Sequence, residues 1–299
     1  MKKLVVVLGP TAIGKTAFSI ELAKSLNTEI ISCDSRQFFK ELNIGVARPS
    51  AEELAAVPHH FIAHQSIQNL YSAGAFEKDA LNLLDVLFEK KDFVVCTGGS
   101  GLYLDALLNG FDDMPADLKV RNELNQEAAD KGMDHLSEKL KQLDPEHWEI
   151  IDKANRQRVI RAIEVCLITG KKFSEIRSGN QKSRSFETVK IGLSSDRQWL
   201  YDRINKRVDI MMDSGLEEEA KALHSLKHLN ALNTVGYKEL FEYFEGKHSL
   251  NEAITLIKQH TRNYAKRQIT WWNKDQSINW QRIDLNTNPL PEVLRILNN

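Results

Sequence analysis

Along the first third of this chain, short apolar runs rich in β-branched residues alternate with longer stretches whose apolar residues recur every three or four positions. Leu4 to Leu8 is the first run and predicts a strand; Phe18, Ile20, Leu22, Ala23 and Leu26 then mark a helix. Residues 29–33 predict a second strand ending at Asp34, and residues 92–97 a third. Between them, residues 73–91 predict a helix with Phe76, Ala80, Leu84 and Leu87 on one stripe and Ser72 as its N-cap. Strands joined by helix-length crossovers predict a parallel sheet whose loops gather at one edge. That edge would bring residues 9–16, 34–37 and 98–101 together.

From 114 to 185 the pattern becomes helical, with segments near 117–131, 134–142, 145–152 and 155–169 and Gly170 as a stop signal. Residues 189–193 read as a strand returning to the sheet. Helices then follow near 196–214, 216–227, 236–245 and 250–273, and the tail after Ile278 reads as a short strand and a weak helix. The expected organisation is an α/β core made of residues 1–113 and 186–299, interrupted by a helical subdomain at 114–185.

The first strand runs directly into Gly9, Pro10, Thr11, Ala12, Ile13, Gly14, Lys15 and Thr16, an octet that fits G-x-x-x-x-G-K-[ST]. Glycines let such a loop turn tightly, and its N–H groups together with the N-terminus of the following helix form an anion site. Lys15 can add charge on a terminal phosphate, and the Thr16 hydroxyl can hold Mg²⁺. With strand, loop and helix in sequence, the fold class is α/β, a P-loop NTPase-like parallel sheet with flanking helices. Kinases, NTPases and some transferases share this loop, so it does not name the phosphate compound.

Composition adds little until charge is resolved along the chain. The 299 residues are 42% hydrophobic and 27% charged, with a net charge of −1. Residues 1–113 balance to −4, whereas 153–184 carry +7 and 258–274 carry +5. Two basic clusters in a neutral protein suggest a polyanionic partner, although a solvated charged face is the plain alternative for each. Cys33, Cys96 and Cys166 have no metal or disulfide spacing and apolar neighbours, so buried thiols in a reducing compartment are expected. No run of eighteen apolar residues occurs, and a cytoplasmic protein without a membrane span is expected.

Asp34, at a strand end close to the phosphate loop, could hold Mg²⁺, take a proton from a nucleophile, or simply cap a turn. Ser35, Arg36 and Gln37 follow it, and the last two carry donors suited to phosphates and base edges. Arg158 and Arg161 are three apart on one helical face, with pairing to Glu164 as the alternative to phosphate contact. Arg203 and Arg207 are four apart, and one of them could clamp a leaving phosphate. Residues 258–273 interleave His260, Arg262, Tyr264, Lys266, Arg267, Trp271 and Trp272 without an acid, a composition suited to single-stranded nucleic acid. Tyr264 and one of the two tryptophans are expected to face inward.

In order along nearly the whole chain, these residues resemble the tRNA dimethylallyltransferase family, also called isopentenyl-diphosphate:tRNA transferases. The motifs are the octet at 9–16, the tetrad at 34–37, residues 43–49, 58–62 and 71–73, and Gly98-Gly99-Ser100-Gly101-Leu102-Tyr103. Asn155-Arg156-Gln157-Arg158, residues 161–165, Val235-Gly236-Tyr237 and residues 265–271 complete the series. Phe39, Asn43, Val46, Arg48 and Ala63 depart from the family's usual residues. The resemblance implies transfer of a five-carbon group from dimethylallyl diphosphate to N6 of the adenosine 3′ of the anticodon, position 37 of the tRNA. Mg²⁺ is the implied cofactor, the anticodon stem-loop the implied partner, and a monomer the expected state. It also implies that Thr11–Thr16 holds the diphosphate, with Ser100 and Arg203 near the reacting centre and Asp34 on the acceptor amine. Implied tRNA contacts are residues 34–37, Ser100, Arg121, Gln157, Arg158, Val159, Ile160, Arg161, Gly236, Tyr237, Lys238, Lys266, Arg267 and Trp271. A P-loop kinase or NTPase with a small acceptor is the competing enzyme reading, and a nucleotide-dependent RNA-binding switch the competing non-enzyme reading. The absence of an acid where the 92–97 strand ends counts against the kinase.

Overall fold

The structure is a computed structural model and describes residues 2–112, 114–177, 182–284 and 287–298. The chain separates into two compact units, Met1–Leu108 with Arg184–Asn299, and Asn109–Ser183.

In the first unit, β1 (Lys3–Leu8), β2 (Ile30–Ser32), β3 (His59–His60), β4 (Phe93–Thr97), β5 (Glu187–Ser194) and β6 (Asn279–Arg282) form one sheet in the order β3-β2-β4-β1-β5-β6. Every pairing is parallel. The central position of β1 explains its unbroken apolar run, because a parallel strand covered on both faces has no polar side to show. Leu4, Val6 and Leu8 pack on one face with Phe76, Leu84 and Leu104, while Val5 and Val7 pack on the other with Phe18, Leu22 and Leu200. β2 does not neighbour β1 as its place in the chain would suggest, since β4 lies between them. The first crossover skips one position, and the later strand fills it.

The predicted helices form with small changes at their ends. Ala73–Lys90 is capped by the Ser72 hydroxyl, and Arg197–Asp213 and Leu250–Trp272 are capped by Asp196 and Ser249. The helix expected over 216–227 is α-helical only from Leu216 to Leu223, then tightens into a 3-10 turn, His224–Leu226. Among the described residues, elements too short for periodicity to reveal include β3, of two residues, the helix Phe173–Ile176, of four, and the helix Ala51–Ala56, closed by a Ser50/Glu53 capping box.

The second unit is helical and begins at Asn109 rather than near residue 114. Leu118–Lys131, Met133–Leu143, Pro145–Ile150 and Arg156–Thr169 enclose a core of Leu124, Leu136, Leu140, Val159, Ile160 and Ile163. Gly170 closes the last of these helices with φ +66°, the left-handed conformation that its sequence position predicts. Cys33, Cys96 and Cys166 are buried free thiols. Among the described residues, no helix is long and apolar enough to cross a membrane.

Candidate functional site

The three loops expected to meet do meet at the carboxyl end of the sheet, and all belong to the first unit. Gly9 leaves β1 at φ +141°, with a β-carbon's position only 2.6 Å from the Leu193 carbonyl of the neighbouring strand, so no other residue fits there. The loop ends at Gly14, the N-cap of the helix Lys15–Ser25. Gly98 lies against Cys33 and the backbone of Asp34, which brings the end of β4 next to the end of β2. Ser100 fastens the two: its Oγ accepts from the Ser35 N–H at 2.9 Å and donates to the Ser35 hydroxyl at 2.8 Å.

Asp34 sits in a turn closed by its own carboxylate, whose Oδ1 accepts from the N–H groups of Arg36 at 2.9 Å and Gln37 at 3.4 Å. These bonds fix the side chain against the cavity that the phosphate loop also lines. The cavity is about 690 Å³, enough for a small phosphate ester and a base, and its wall includes Lys15, Thr16, Asp34, Arg203, Arg207 and Arg267.

The loop's cations are close and partly spent. Lys15 Nζ donates to the carbonyls of Gly9 and Pro10, both at 2.9 Å. Burial, then the nearby Arg207 guanidinium, pushes Lys15 down to about 8. Arg203 Nε donates to the Ala12 carbonyl at 2.8 Å and its guanidinium lies 4.7 Å over the Trp199 ring. This supports Ala12 in a left-handed conformation, φ +64°, that a residue with a β-carbon adopts at a cost. Arg207 is lowered first by burial and then by Arg203. Such a cluster suits an anion with several negative oxygens. Thr16 and Asp34 also offer oxygens on the cavity wall, the donors that Mg²⁺ prefers beside a phosphate's own.

Several residues expected at the nucleic-acid surface also bond within the fold, and of these Arg36, Gln37 and Gly236 line the cavity as well. Arg36 spends its guanidinium on the carbonyls of Asn230 and Asn233, and Gln37 donates to those of Val46 and Ala47. Tyr237 is fully buried, its ring against Gly45 and its hydroxyl donating to Glu219 at 2.5 Å. Glu219 also receives the N–H groups of Asn43, Ile44 and Gly45, so the pair shapes the 43–47 turn. Gly236 has φ +100° and is buried, its N–H donating to Glu239 at 2.8 Å. The departure at Arg48 is likewise inward, its guanidinium donating to the carbonyls of Phe39, Lys40 and Leu42.

In the helical unit, Val159 and Ile160 are core side chains, leaving Gln157 and Arg158 exposed. Arg121 grips Glu164 through Nε and Nη2 at 2.8–3.2 Å, and Arg161 joins at 2.9 Å. Burial alone would raise the Glu164 carboxyl, but these bonds and the Asp117 N–H hold it below its ordinary value. Pairing with Glu164 is therefore the observed fate of Arg161.

On Leu250–Trp272, Lys266, Arg267 and Trp271 are exposed and Trp272 is buried. Lys238 is exposed and lines the cavity. Tyr264 faces inward, donates to the Gly99 carbonyl at 3.2 Å, and is raised by burial and then by Asp34. Gln268, within the 265–271 motif, is buried between the phosphate loop and the Gly99 turn, a place that its sequence position did not assign it. Its signals were its place in that motif and a neutral amide within a run of cations and aromatics.

The IPP transferase family model matches residues 37–275, beginning just beyond the phosphate loop and Asp34. A tRNA dimethylallyltransferase of Christiangramia forsetii is 53% identical, over 95% of this chain and 94% of its own length. One of Flavobacterium johnsoniae is 49% identical, over 94% and 93%. Among solved structures, a Bacillus halodurans tRNA isopentenylpyrophosphate transferase superposes with TM-score 0.73 at 36% identity, covering 100% of this chain and 96% of that one. A eukaryotic dimethylallyltransferase described as acting on tRNA gives TM-score 0.81 at 27% identity, covering 100% and 79%. These relatives support the transferase reading and lend nothing to the kinase or the switch. From the sheet order, the phosphate-loop cavity and these matches together, the chain belongs to the IPP transferase family, that of the tRNA dimethylallyltransferases.

Proposed function

We propose that this protein transfers a dimethylallyl group from dimethylallyl diphosphate to N6 of the adenosine 3′ of the anticodon, position 37 of its tRNA substrates. The products are N6-dimethylallyladenosine and diphosphate. The observation that carries the reading is the meeting of a fixed Asp34 carboxylate with a cationic phosphate loop on one cavity wall. The adenine N6 lone pair is delocalised into the ring and makes a poor nucleophile. As N6 attacks the first carbon of the allyl group, a C–N bond forms and the C–O bond to diphosphate breaks. Asp34 accepts the N6 proton, so positive charge does not accumulate on nitrogen. The departing diphosphate gathers negative charge, which the loop N–H groups, Lys15 and Arg203 stabilise more than they stabilise bound substrate. Thr16 is the protein ligand proposed for Mg²⁺, which when bound adds further neutralisation of the leaving group.

The anticodon loop is single-stranded, so its adenine can be splayed out and read within the cavity. Lys238, Lys266, Arg267 and Trp271 are the exposed cations and aromatic proposed to hold the loop in the first unit, and Gln157 and Arg158 in the helical unit. The protein is proposed to act as a monomer in the cytoplasm. Labelled dimethylallyl diphosphate, incubated with unmodified tRNA, AMP and ATP in separate reactions, tests the reading. Label should move to tRNA alone; ATP turnover without prenyl transfer would overturn it.

A further inference from the structure

Gln268 lies in the most cationic and aromatic stretch of the chain, beside the exposed Lys266, Arg267 and Trp271. Its own side chain points inward and is only 5% exposed. Oε1 accepts from the Thr11 N–H of the phosphate loop at 2.8 Å, and Nε2 donates to the Gly99 carbonyl at 2.9 Å. One amide therefore spans the loop and the turn that carries Ser100. Ser100 in turn fastens Ser35, the neighbour of Asp34.

We infer that Gln268 is a positioning residue for the prenyl donor: it sets the phosphate loop's shape and its distance from the Asp34 turn, and it does not read RNA. The inference rests on the cavity being a diphosphate site. Three physical points carry it. The Thr11 N–H is already committed to Gln268, so this group braces the loop instead of binding phosphate. The loop holds Ala12 at φ +64°, a conformation that a residue with a β-carbon keeps only when the surroundings impose it. A site made of backbone N–H groups binds an anion well only if those groups are already aimed, and a loosened loop pays that ordering on every binding event. The glutamine amide offers an acceptor to Thr11 and a donor to Gly99 at once, without a charge. Glutamate keeps the first bond, loses the second and adds a negative charge beside an anion pocket; methionine fills the space and makes neither.

The test compares wild-type full-length protein with Gln268→Met and Gln268→Glu. Calorimetry with inorganic diphosphate, without RNA, reads the loop directly; donor KM and affinity for unmodified tRNA are measured beside it. Diphosphate affinity and donor KM should both weaken by about tenfold, more for Gln268→Glu, while tRNA affinity stays within about twofold. Thermal unfolding identifies a variant that does not fold, and Gln268→Glu, which keeps the size and one bond, then decides. Unchanged diphosphate affinity in a folded variant overturns the inference. So does a loss of tRNA affinity as large as the loss for diphosphate, which would make Gln268 an RNA contact. If the wild type binds diphosphate but prenylates no tRNA, the proposed reaction fails, and the binding ratio still decides the role of Gln268.

Discussion

Arg121 and Arg161 in the helical unit converge on a fully buried carboxylate, Glu164, whereas Lys15, Arg203 and Arg207 in the α/β unit line one cavity. Among the described residues, none of those three closes an ion pair; Lys15 and Arg203 rest on backbone carbonyls. The first cluster is neutralised by its own fold and is architecture. In the second, positive charge is concentrated at a place that water partly leaves, as the lowering of Lys15 and Arg207 reflects. Asp34 and Glu53 offset that cost only from a distance, without a contact ion pair, and an incoming anion recovers it. An arginine's neighbours, more than its presence, separate a site from a scaffold.

The comparison can be broken in several places. The largest effect is expected from Asp34→Asn, which keeps an acceptor for the Arg36 and Gln37 N–H groups but removes the base. Transfer to tRNA should slow by about 10²- to 10⁴-fold with tRNA affinity unchanged. A matching loss of tRNA affinity would make Asp34 a binding residue.

Next comes Glu164→Gln. With two arginines left facing a neutral amide, the protein should lose about 3 kcal/mol in denaturant unfolding, at the low end for a broken buried pair because both arginines retain some water. A change below about 1 kcal/mol would mean that the cluster is not structural.

Smaller is the pH dependence of diphosphate binding. Lys15, pushed down to about 8, is charged below that pH and loses its charge above it. Affinity for inorganic diphosphate should therefore fall by about tenfold between roughly pH 7 and pH 9, and Lys15→Arg should flatten the profile. An unaltered profile in that variant would assign the dependence to another group.

The smallest effect is expected at Arg158, exposed beside the paired Arg161. Arg158→Ala should weaken tRNA binding several-fold and reduce the slope of log affinity against log salt by about one. Arg161→Ala should instead act mainly on stability, and a salt slope that falls equally in both variants would erase the distinction drawn here.

Much of the fold was legible in the sequence because its signals are local. A five-residue apolar run into the glycine-lysine octet requires strand, loop and helix, and the crossover rule then places the loops after β1, β2 and β4 at one edge. Caps at Ser72 and Gly170 were readable for the same reason: a cap bonds to backbone only a few residues away. The insertion of β4 between β1 and β2, and the two-residue strand β3, were not readable, since strand order depends on which faces later segments cover.

The candidate site divides along the same line. The amino-acid sequence by itself determined an anion loop, an acid near it, and two basic stretches. Only the tertiary structure decided which donors remain available. Arg36, Gln37 and Tyr237 look like free contacts in the linear chain, and the fold also gives each a partner anywhere from 9 to 197 positions away, while Arg36 and Gln37 line the cavity. Gln268 looks incidental and proves to join residues 11 and 99. Hydrogen-bond satisfaction is a property of what surrounds a group in space, and a buried polar group must find its partner wherever the chain brings one.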